Sequence, residues 1–173
     1  MTGTAVNKQF IYPGNDCFGC GPDNAEGLRI EIYRDGDRTD RLVGVYRPRP
    51  TGAGFPGIAH GGAQFTALDC MAGWAMFLLR NDVVKGMPLT TTASVRYRKP
   101  ARVGEELALS SQIVREAEGK SPFAIHTEIR DQQGELLSEV DFDYILVETE
   151  KFRRTAGIPQ LPEHYLRHFG LVA

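Results

Sequence analysis

The chain is poor in cysteine, in net charge and in long apolar runs, and each shortage excludes a class of protein. Three cysteines among 173 residues are too few for a disulfide framework, which favours a reducing, cytoplasmic location. A formal net charge of -2 gives no electrostatic reason to expect a nucleic-acid partner. No basic segment followed by an apolar one opens the chain, so we expect no secretory signal.

One long stretch of the chain contains a single charged residue, which is acidic. Between Pro50 and Leu79 the only formally charged side chain is Asp69. Glycines and Gln64 interrupt this stretch, so its apolar run is too short to span a membrane. From Ala63 to Leu79 apolar residues lie on every side of a helical wheel, which predicts a helix that is buried all round. A carboxylate in such a helix is costly unless it is paired or functional.

His60, Gly61 and Gly62 stand at the start of this predicted helix. Glycine lets backbone N–H groups come close to a ligand. The first N–H groups of a helix have no partner within it and favour developing negative charge. The stretch therefore combines a buried acid with a set of N–H donors typical of an oxyanion site.

The segments on either side of the helix alternate between apolar and polar residues, which predicts strands. Glycine-containing turn signals separate them. The predicted strands are Leu28–Arg34, Arg41–Tyr46, Thr90–Arg98, Leu107–Arg115, Phe123–Arg130 and a last strand with Val140, Phe142, Tyr144 and Leu146 on its buried face. Two strands, one buried helix and four strands indicate an α+β fold, in which the helix fills one face of an antiparallel sheet.

We expect three parts in the chain: an N-terminal leader with a CxxC loop at 1–27, a domain at 28–149 and a C-terminal tail at 150–173. Residues 1–12 look like a loose leader. The tail is predicted to carry a short helix near Glu163–Phe169. His164 and His168 are spaced i, i+4 there, and without a third ligand nearby we interpret them as surface residues.

Cys17 and Cys20 have the CxxC spacing that half a zinc site or a redox pair would have. A zinc site usually needs four ligands, and no second CxxC or HxxxC follows. The remaining thiol, Cys70, lies in the predicted buried helix. We therefore expect a structural loop with glycine-dependent turns, and neither a metal site nor a cofactor. Trp74 and Met71 are interpreted as core residues.

The motif GFPGIAHGGAQFTALD, residues 54–69, resembles that of the hot-dog-fold acyl-CoA thioesterases, in particular the phenylacetyl-CoA thioesterase type. In this family an acidic residue on the central helix follows the histidine of HGG by nine positions, as Asp69 follows His60 here. VRYRKPARVGEEL, residues 95–107, is similar to a family strand that ends in a tyrosine three residues before proline. The resemblance covers residues 17–147 and implies a hot-dog fold, an antiparallel sheet of about six strands wrapped around one long helix.

The resemblance also implies the roles of individual residues in acyl-CoA hydrolysis. Asp69 would be the nucleophile or general base, and the Gly61 N–H would polarise the thioester carbonyl, with His60 beside it. Thr90 would orient the water or the acid, although Thr91 is one register away. The candidate substrate-binding residues are Gly62, Tyr97, Arg98, Lys99 and Lys120. On another interpretation, Arg98 and Lys99 are solvated charges on a sheet edge.

The spacing of Gly61 and Asp69 points to a shared site without help from the family. Eight residues along one helix span about 12 Å. The oxyanion donor must lie about 3 Å from the carbonyl oxygen, and the nucleophile about 3–3.5 Å from its carbon. One helix cannot supply both groups, but two antiparallel copies can. We therefore expect a homodimer. The family resemblance implies that the sheets of the two protomers meet edge to edge, and a dimer of dimers is an alternative.

Two other functions are alternatives to thioester hydrolysis. Hot-dog dehydratases carry a histidine directly before Phe-Pro, where this chain has Gly54, and the hydratases carry one five residues after the acid, where it has Trp74. Both differences disfavour that class. Many thioesterase relatives carry Asn or Gln at the position of Gly54. Its absence keeps a non-enzymatic acyl-CoA-binding protein as an alternative.

Overall fold

A six-stranded antiparallel sheet with one long helix packed against it forms the core of the computed structural model. The structure describes residues 4–9, 16–80, 86–157 and 160. The helices are α1 (Val6–Gln9), α2 (Gly61–Leu79) and α3 (Thr149–Ala156). The strands of the large sheet are β1 (Glu31–Arg34), β2 (Arg41–Tyr46), β5 (Met87–Tyr97), β6 (Leu107–Arg115), β7 (Phe123–Arg130) and β8 (Leu136–Val147), in the order β1-β2-β6-β7-β8-β5. A separate pair, β3 (Ala53–Phe55) and β4 (Ile58–Ala59), precedes α2.

The predicted fold class is confirmed, and β2, β6 and β7 have the predicted bounds. β1 is shorter than predicted because the residues before it bond to the CxxC loop rather than to β2. Leu28 N donates to Phe18 O, and Ile30 N donates to Gly19 O. Alternation in this segment thus reflects burial against the loop as well as pairing in a sheet.

Helix α2 is covered by the sheet along most of its length. Leu68, Met71 and Ala75 are fully buried and pack in one cluster with the inward side chains of the sheet. Burying each large apolar side chain stabilises the fold by roughly 1.5–3 kcal/mol. Trp74 is 8% exposed, so its interpretation and that of Met71 as core residues are confirmed. No helix of the described residues is both long and apolar enough to cross a membrane.

Strand β8 has the two faces that its sequence predicts. Val140, Phe142 and Tyr144 are buried under α2, and acidic residues alternate with them on the outer face. There Asp141 pairs with Arg96 of β5 at 2.7 Å. Since these charged side chains are 44% and 49% exposed, the pair contributes little to stability.

Residues 4–9 correct the prediction of a loose leader. The side chain of Asn7 is buried, and its Nδ2 donates to Cys20 O at 3.0 Å and Ile30 O at 2.9 Å. Its Oδ1 accepts from Ile32 N at 3.0 Å. One amide thus satisfies three distant backbone groups, and no local pattern reveals this. In the tail, α3 is observed, whereas Glu163–Phe169 lies outside the described residues.

Candidate active site

Asp69 lies half-buried near the middle of α2. Its Oδ1 accepts hydrogen bonds from Thr90 Oγ1 at 2.7 Å and from the Tyr144 hydroxyl at 2.8 Å. Within the described part of the chain, its Oδ2 has no hydrogen-bond donor. Burial and the negative charge of Asp69 raise the pKa of Tyr144, so this hydroxyl stays protonated and donates. Two neutral donors therefore hold one carboxylate oxygen and leave the other for chemistry.

A β-bulge places Thr90 at this carboxylate. The pairing of β5 with β8 shifts by one residue between Thr90 and Thr92, so Thr91 is the extra residue. In a regular strand Thr90 and Tyr97, seven positions apart, would lie on opposite faces. With the bulge, both side chains bond to α2, whereas Thr91 bonds to a carbonyl of β8. Thr90 rather than Thr91 is the hydroxyl at the acid.

The start of α2 forms a second group of candidate residues. His60 is the N-cap, and its Nδ1 accepts from Gly62 N at 2.9 Å. That bond occupies the Gly62 N–H, whereas Gly61, the first residue of the helix, has no intrahelical acceptor for its own N–H. The Tyr97 hydroxyl donates to Gly61 O at 2.9 Å. Of the two glycines, Gly61 is therefore the one placed to donate to a ligand.

Close packing explains the glycines around His60. A Cβ at Gly54 would lie 2.9 Å from His60 Cδ2 and 3.0 Å from its Cα. The Asn or Gln that relatives carry at this position therefore does not fit unless the histidine backbone moves. A Cβ at Gly61 would lie 3.0 Å from Tyr97 Cζ. Both glycines are required by the close approach of β3 and β5 to the start of α2.

The predicted substrate-binding cations are exposed. Arg98 and Lys99 are exposed residues directly after β5, and they form ion pairs with Glu139 and Glu135 respectively. Lys120 is exposed in the turn between β6 and β7. The structure thus joins Asp69 to Thr90, and the HGG segment to Tyr97, but it places these three cations on the surface.

Two functional candidates were missed by sequence reasoning. Tyr144 was predicted to face the helix, but not to bond Asp69, 75 residues earlier. The sequence did offer a signal for this bond, because Tyr144 places a hydroxyl on the buried face of the last strand and the helix opposite that face carries a single acid. The sequence gives no sign that Cys70 approaches the CxxC loop. In the structure its Sγ lies 3.8 Å from that of Cys17, which removes the reason for setting a metal site aside.

A cluster of ionisable side chains also lies on the outer face of the sheet. His126 Nδ1 is 2.7 Å from Asp141 Oδ1, and its Nε2 is 3.4 Å from Glu128 Oε1 and 3.7 Å from Glu139 Oε2. Burial opposes protonation of His126, but the hydrogen bonds and charges of Asp141 and Glu128 outweigh burial and raise its pKa. The cluster therefore favours the protonated form of His126, which then pairs with these carboxylates.

Comparison with known proteins finds a family model and solved structures that are similar to this chain. Residues 56–138 match the sequence model of the Thioesterase superfamily, whereas comparison with curated proteins finds no match. A hypothetical thioesterase protein from Streptococcus pneumoniae, solved with coenzyme A, is similar with a TM-score of 0.57 and 21% identity, over 68% of this chain and 88% of that one. The protein smu.793 from Streptococcus mutans, bound to acetyl CoA, is similar with a TM-score of 0.52 and 18% identity, over 62% of this chain and 82% of that one.

A mammalian structure extends the likeness. Thioesterase superfamily member 2 from Mus musculus matches with a TM-score of 0.56 and 17% identity, over 68% of this chain and 83% of that one. At these identities the likeness establishes the fold alone. Residues 56–138 are thus similar to the Thioesterase superfamily model, and the chain has a hot-dog fold.

Proposed function

We propose that this protein hydrolyses acyl-CoA thioesters, with Asp69 as nucleophile or general base and the Gly61 N–H as oxyanion donor. The observation that carries the proposal is the carboxylate of Asp69, held through Oδ1 by Thr90 and Tyr144 with Oδ2 left to react. The similarity of residues 56–138 to the Thioesterase superfamily model supports thioester chemistry.

Two mechanisms use the same geometry. In the first, Asp69 Oδ2 attacks the thioester carbon, the C–S bond breaks, CoA leaves as thiolate, and water then cleaves the acyl-aspartyl anhydride. In the second, Asp69 takes a proton from water as the water oxygen attacks the carbon, and the proton passes to the departing sulfur. In both, negative charge develops on the carbonyl oxygen, where the N–H of Gly61 stabilises it.

Each reaction centre draws on two protomers of a homodimer. The span of about 12 Å between Gly61 and Asp69 along α2 separates donor from acid within one chain. β5 ends the sheet order, and its outer edge has no strand partner among the described residues. Val95 and Tyr97 of β5 are 39% and 50% exposed, and nearby Phe55 is 70% exposed. An apolar surface beside an unpaired edge favours a second copy there, antiparallel to the first.

The CoA moiety is the recognition element of the substrate. The Streptococcus pneumoniae and Streptococcus mutans structures were solved with coenzyme A and acetyl CoA. In this chain the exposed cations Arg98, Lys99 and Lys120 are suited to its phosphates. Arg98 and Lys99 already pair with carboxylates, so phosphate would have to displace those partners. We therefore expect Lys120, in the turn between β6 and β7, to contribute most to phosphate binding.

Thiol release from a panel of acyl-CoA substrates tests the proposal. The panel contains short, long and aryl acyl groups, including phenylacetyl-CoA because residues 54–69 resemble that type of thioesterase. We expect turnover with at least one class and loss of nearly all of it in Asp69→Asn. Asp143→Asn, on the outer face of β8, is the matched control and keeps its activity. Wild-type hydrolysis by a well-folded Asp69→Asn variant contradicts the assignment.

Mixed dimers test the shared centre separately. A chain inactivated at Asp69 is combined with a chain inactivated at Gly61, and hybrids are isolated by two different tags. One of the two centres in each hybrid then holds an intact acid and an intact donor, so part of the activity returns. Tight acyl-CoA binding with no hydrolysis by any wild-type preparation would instead identify a binding module.

A further inference from the structure

Three thiols that are distant in sequence meet beside α2. Cys17 and Cys20 belong to the loop before β1, and Cys70 follows Asp69 on α2. Their Sγ atoms all lie within 4.8 Å of one another, and those of Cys17 and Cys70 are 3.8 Å apart. All three cysteines are free. Thioester hydrolysis as proposed above uses none of them.

The spacing of the sulfur atoms suits one tetrahedral metal ion. With Zn–S bonds of about 2.3 Å, two sulfurs separated by the tetrahedral angle lie about 3.8 Å apart. A disulfide needs a separation of about 2.05 Å. The distance between Cys17 and Cys70 therefore corresponds to one edge of a metal–thiolate tetrahedron and is far longer than a covalent bond.

The loop is held against the helix by contacts that do not involve a metal. Gly19 O accepts from Ile30 N at 3.1 Å, and the buried amide of Asn7 donates to Cys20 O at 3.0 Å. A Cβ at Gly19 would lie 2.3 Å from Cys70 Sγ, so glycine is required for the loop to pass directly over this thiol. Ligands held in place in this way lose little freedom when they bind an ion.

The surroundings favour thiolate, the form of cysteine that binds metals. Trp74 Nε1–H donates to Cys20 Sγ at 3.2 Å. A cation bound by the three sulfurs would compensate the charge of all three thiolates.

We infer that Cys17, Cys20 and Cys70 form a binding site for one Zn²⁺ ion. Thiolates select ions such as Zn²⁺ over Mg²⁺ and Ca²⁺. Among the described residues, no other His, Cys, Asp or Glu joins these three. Because Cys17 is exposed, the fourth position is open to water. The ion links the N-terminal loop to α2 across 53 positions of sequence.

Metal content and cobalt spectroscopy of the full chain test this site. The reduced protein is purified without chelating resin, assayed for zinc by mass spectrometry, stripped, and titrated with Zn²⁺ and Co²⁺. We expect one ion per chain, a thiolate-to-cobalt charge-transfer band, and a melting temperature that falls when zinc is removed. Cys17→Ser should weaken Zn²⁺ binding by more than the roughly 10–100-fold that loss of a supporting hydrogen bond costs.

The matched control removes the other group of potential ligands. His126→Gln disrupts the cluster of His126, Glu128 and Glu139 and should leave zinc content and the cobalt band unchanged. Because Cys17 is exposed, its serine variant is expected to fold, which circular dichroism checks. Absence of metal from a fully reduced chain that also fails to take up Zn²⁺ overturns the inference. So does equal zinc binding by Cys17→Ser, or a disulfide in protein purified without oxygen.

Discussion

Tyr144→Phe is the most direct test of how the candidate acid is held. The change removes one hydroxyl and keeps the ring, which packs edge-on against Phe142 at 5.9 Å between centroids. The lost hydrogen bond, 2.8 Å to Asp69 Oδ1, has a charged acceptor, and such bonds are worth about 1.5–3 kcal/mol. If that energy orients the carboxylate in the transition state, kcat falls roughly 10- to 150-fold, at about 1.4 kcal/mol per factor of ten.

The assay separates positioning from stability and from substrate binding. Thiol release at saturating and limiting acyl-CoA should show the loss in kcat with little change in KM, because the hydroxyl of Tyr144 bonds the acid and is not among the proposed substrate-binding groups. Tyr33→Phe is the control, since its hydroxyl also donates to a carboxylate, Glu31 at 2.7 Å, but on β1. A folded Tyr144→Phe variant with unchanged kcat would refute the role of this hydroxyl.

Thr90→Val extends the same experiment to the second donor. Thr90 and Tyr144 donate to the same oxygen of Asp69, so loss of either frees the carboxylate to rotate. The two losses should therefore combine to less than their product in the double variant. Fully multiplicative losses would mean that the two hydroxyls act independently of the orientation of the acid.

Three further changes probe the HGG segment, the outer face of the sheet and the surface cations. Gly61→Ala brings a Cβ to 3.0 Å from Tyr97 Cζ and should lower kcat at least tenfold in the thiol-release assay, because the donor N–H shifts with the helix start. The raised pKa of His126 adds stability below its unfolded value of about 6.5 that is lost as pH rises through the folded value. In urea titrations His126→Gln should therefore destabilise the chain more at acid than at alkaline pH. An equal loss of stability at both pH values would show that the charge of His126 does not contribute to stability. Lys120→Ala should raise KM for acyl-CoA mainly at low salt, and a salt-independent KM would argue against a phosphate contact.

Much of the architecture could be predicted because it depends on local periodicity. A helix that is apolar on every side and strands that alternate are visible within about ten residues of sequence. Helix α2 begins where His60-Gly61-Gly62 predicts, and β2, β6 and β7 end where their alternation ends. The short helix α1 was missed because its role rests on Asn7, which bonds backbone groups more than ten positions away.

The sequence by itself therefore determined the long helix, the strands of the large sheet, their order along the chain and the acid–glycine motif of this protein. Tertiary structure alone decided which side chains meet. The bulge at Thr91 turns Thr90 toward Asp69, and strand pairing brings Tyr144 to the same carboxylate over 75 positions. Folding likewise carries the CxxC loop to Cys70 across 53 positions. The physical reason is that periodicity describes which face of an element is buried, whereas register and packing set the contacts across it.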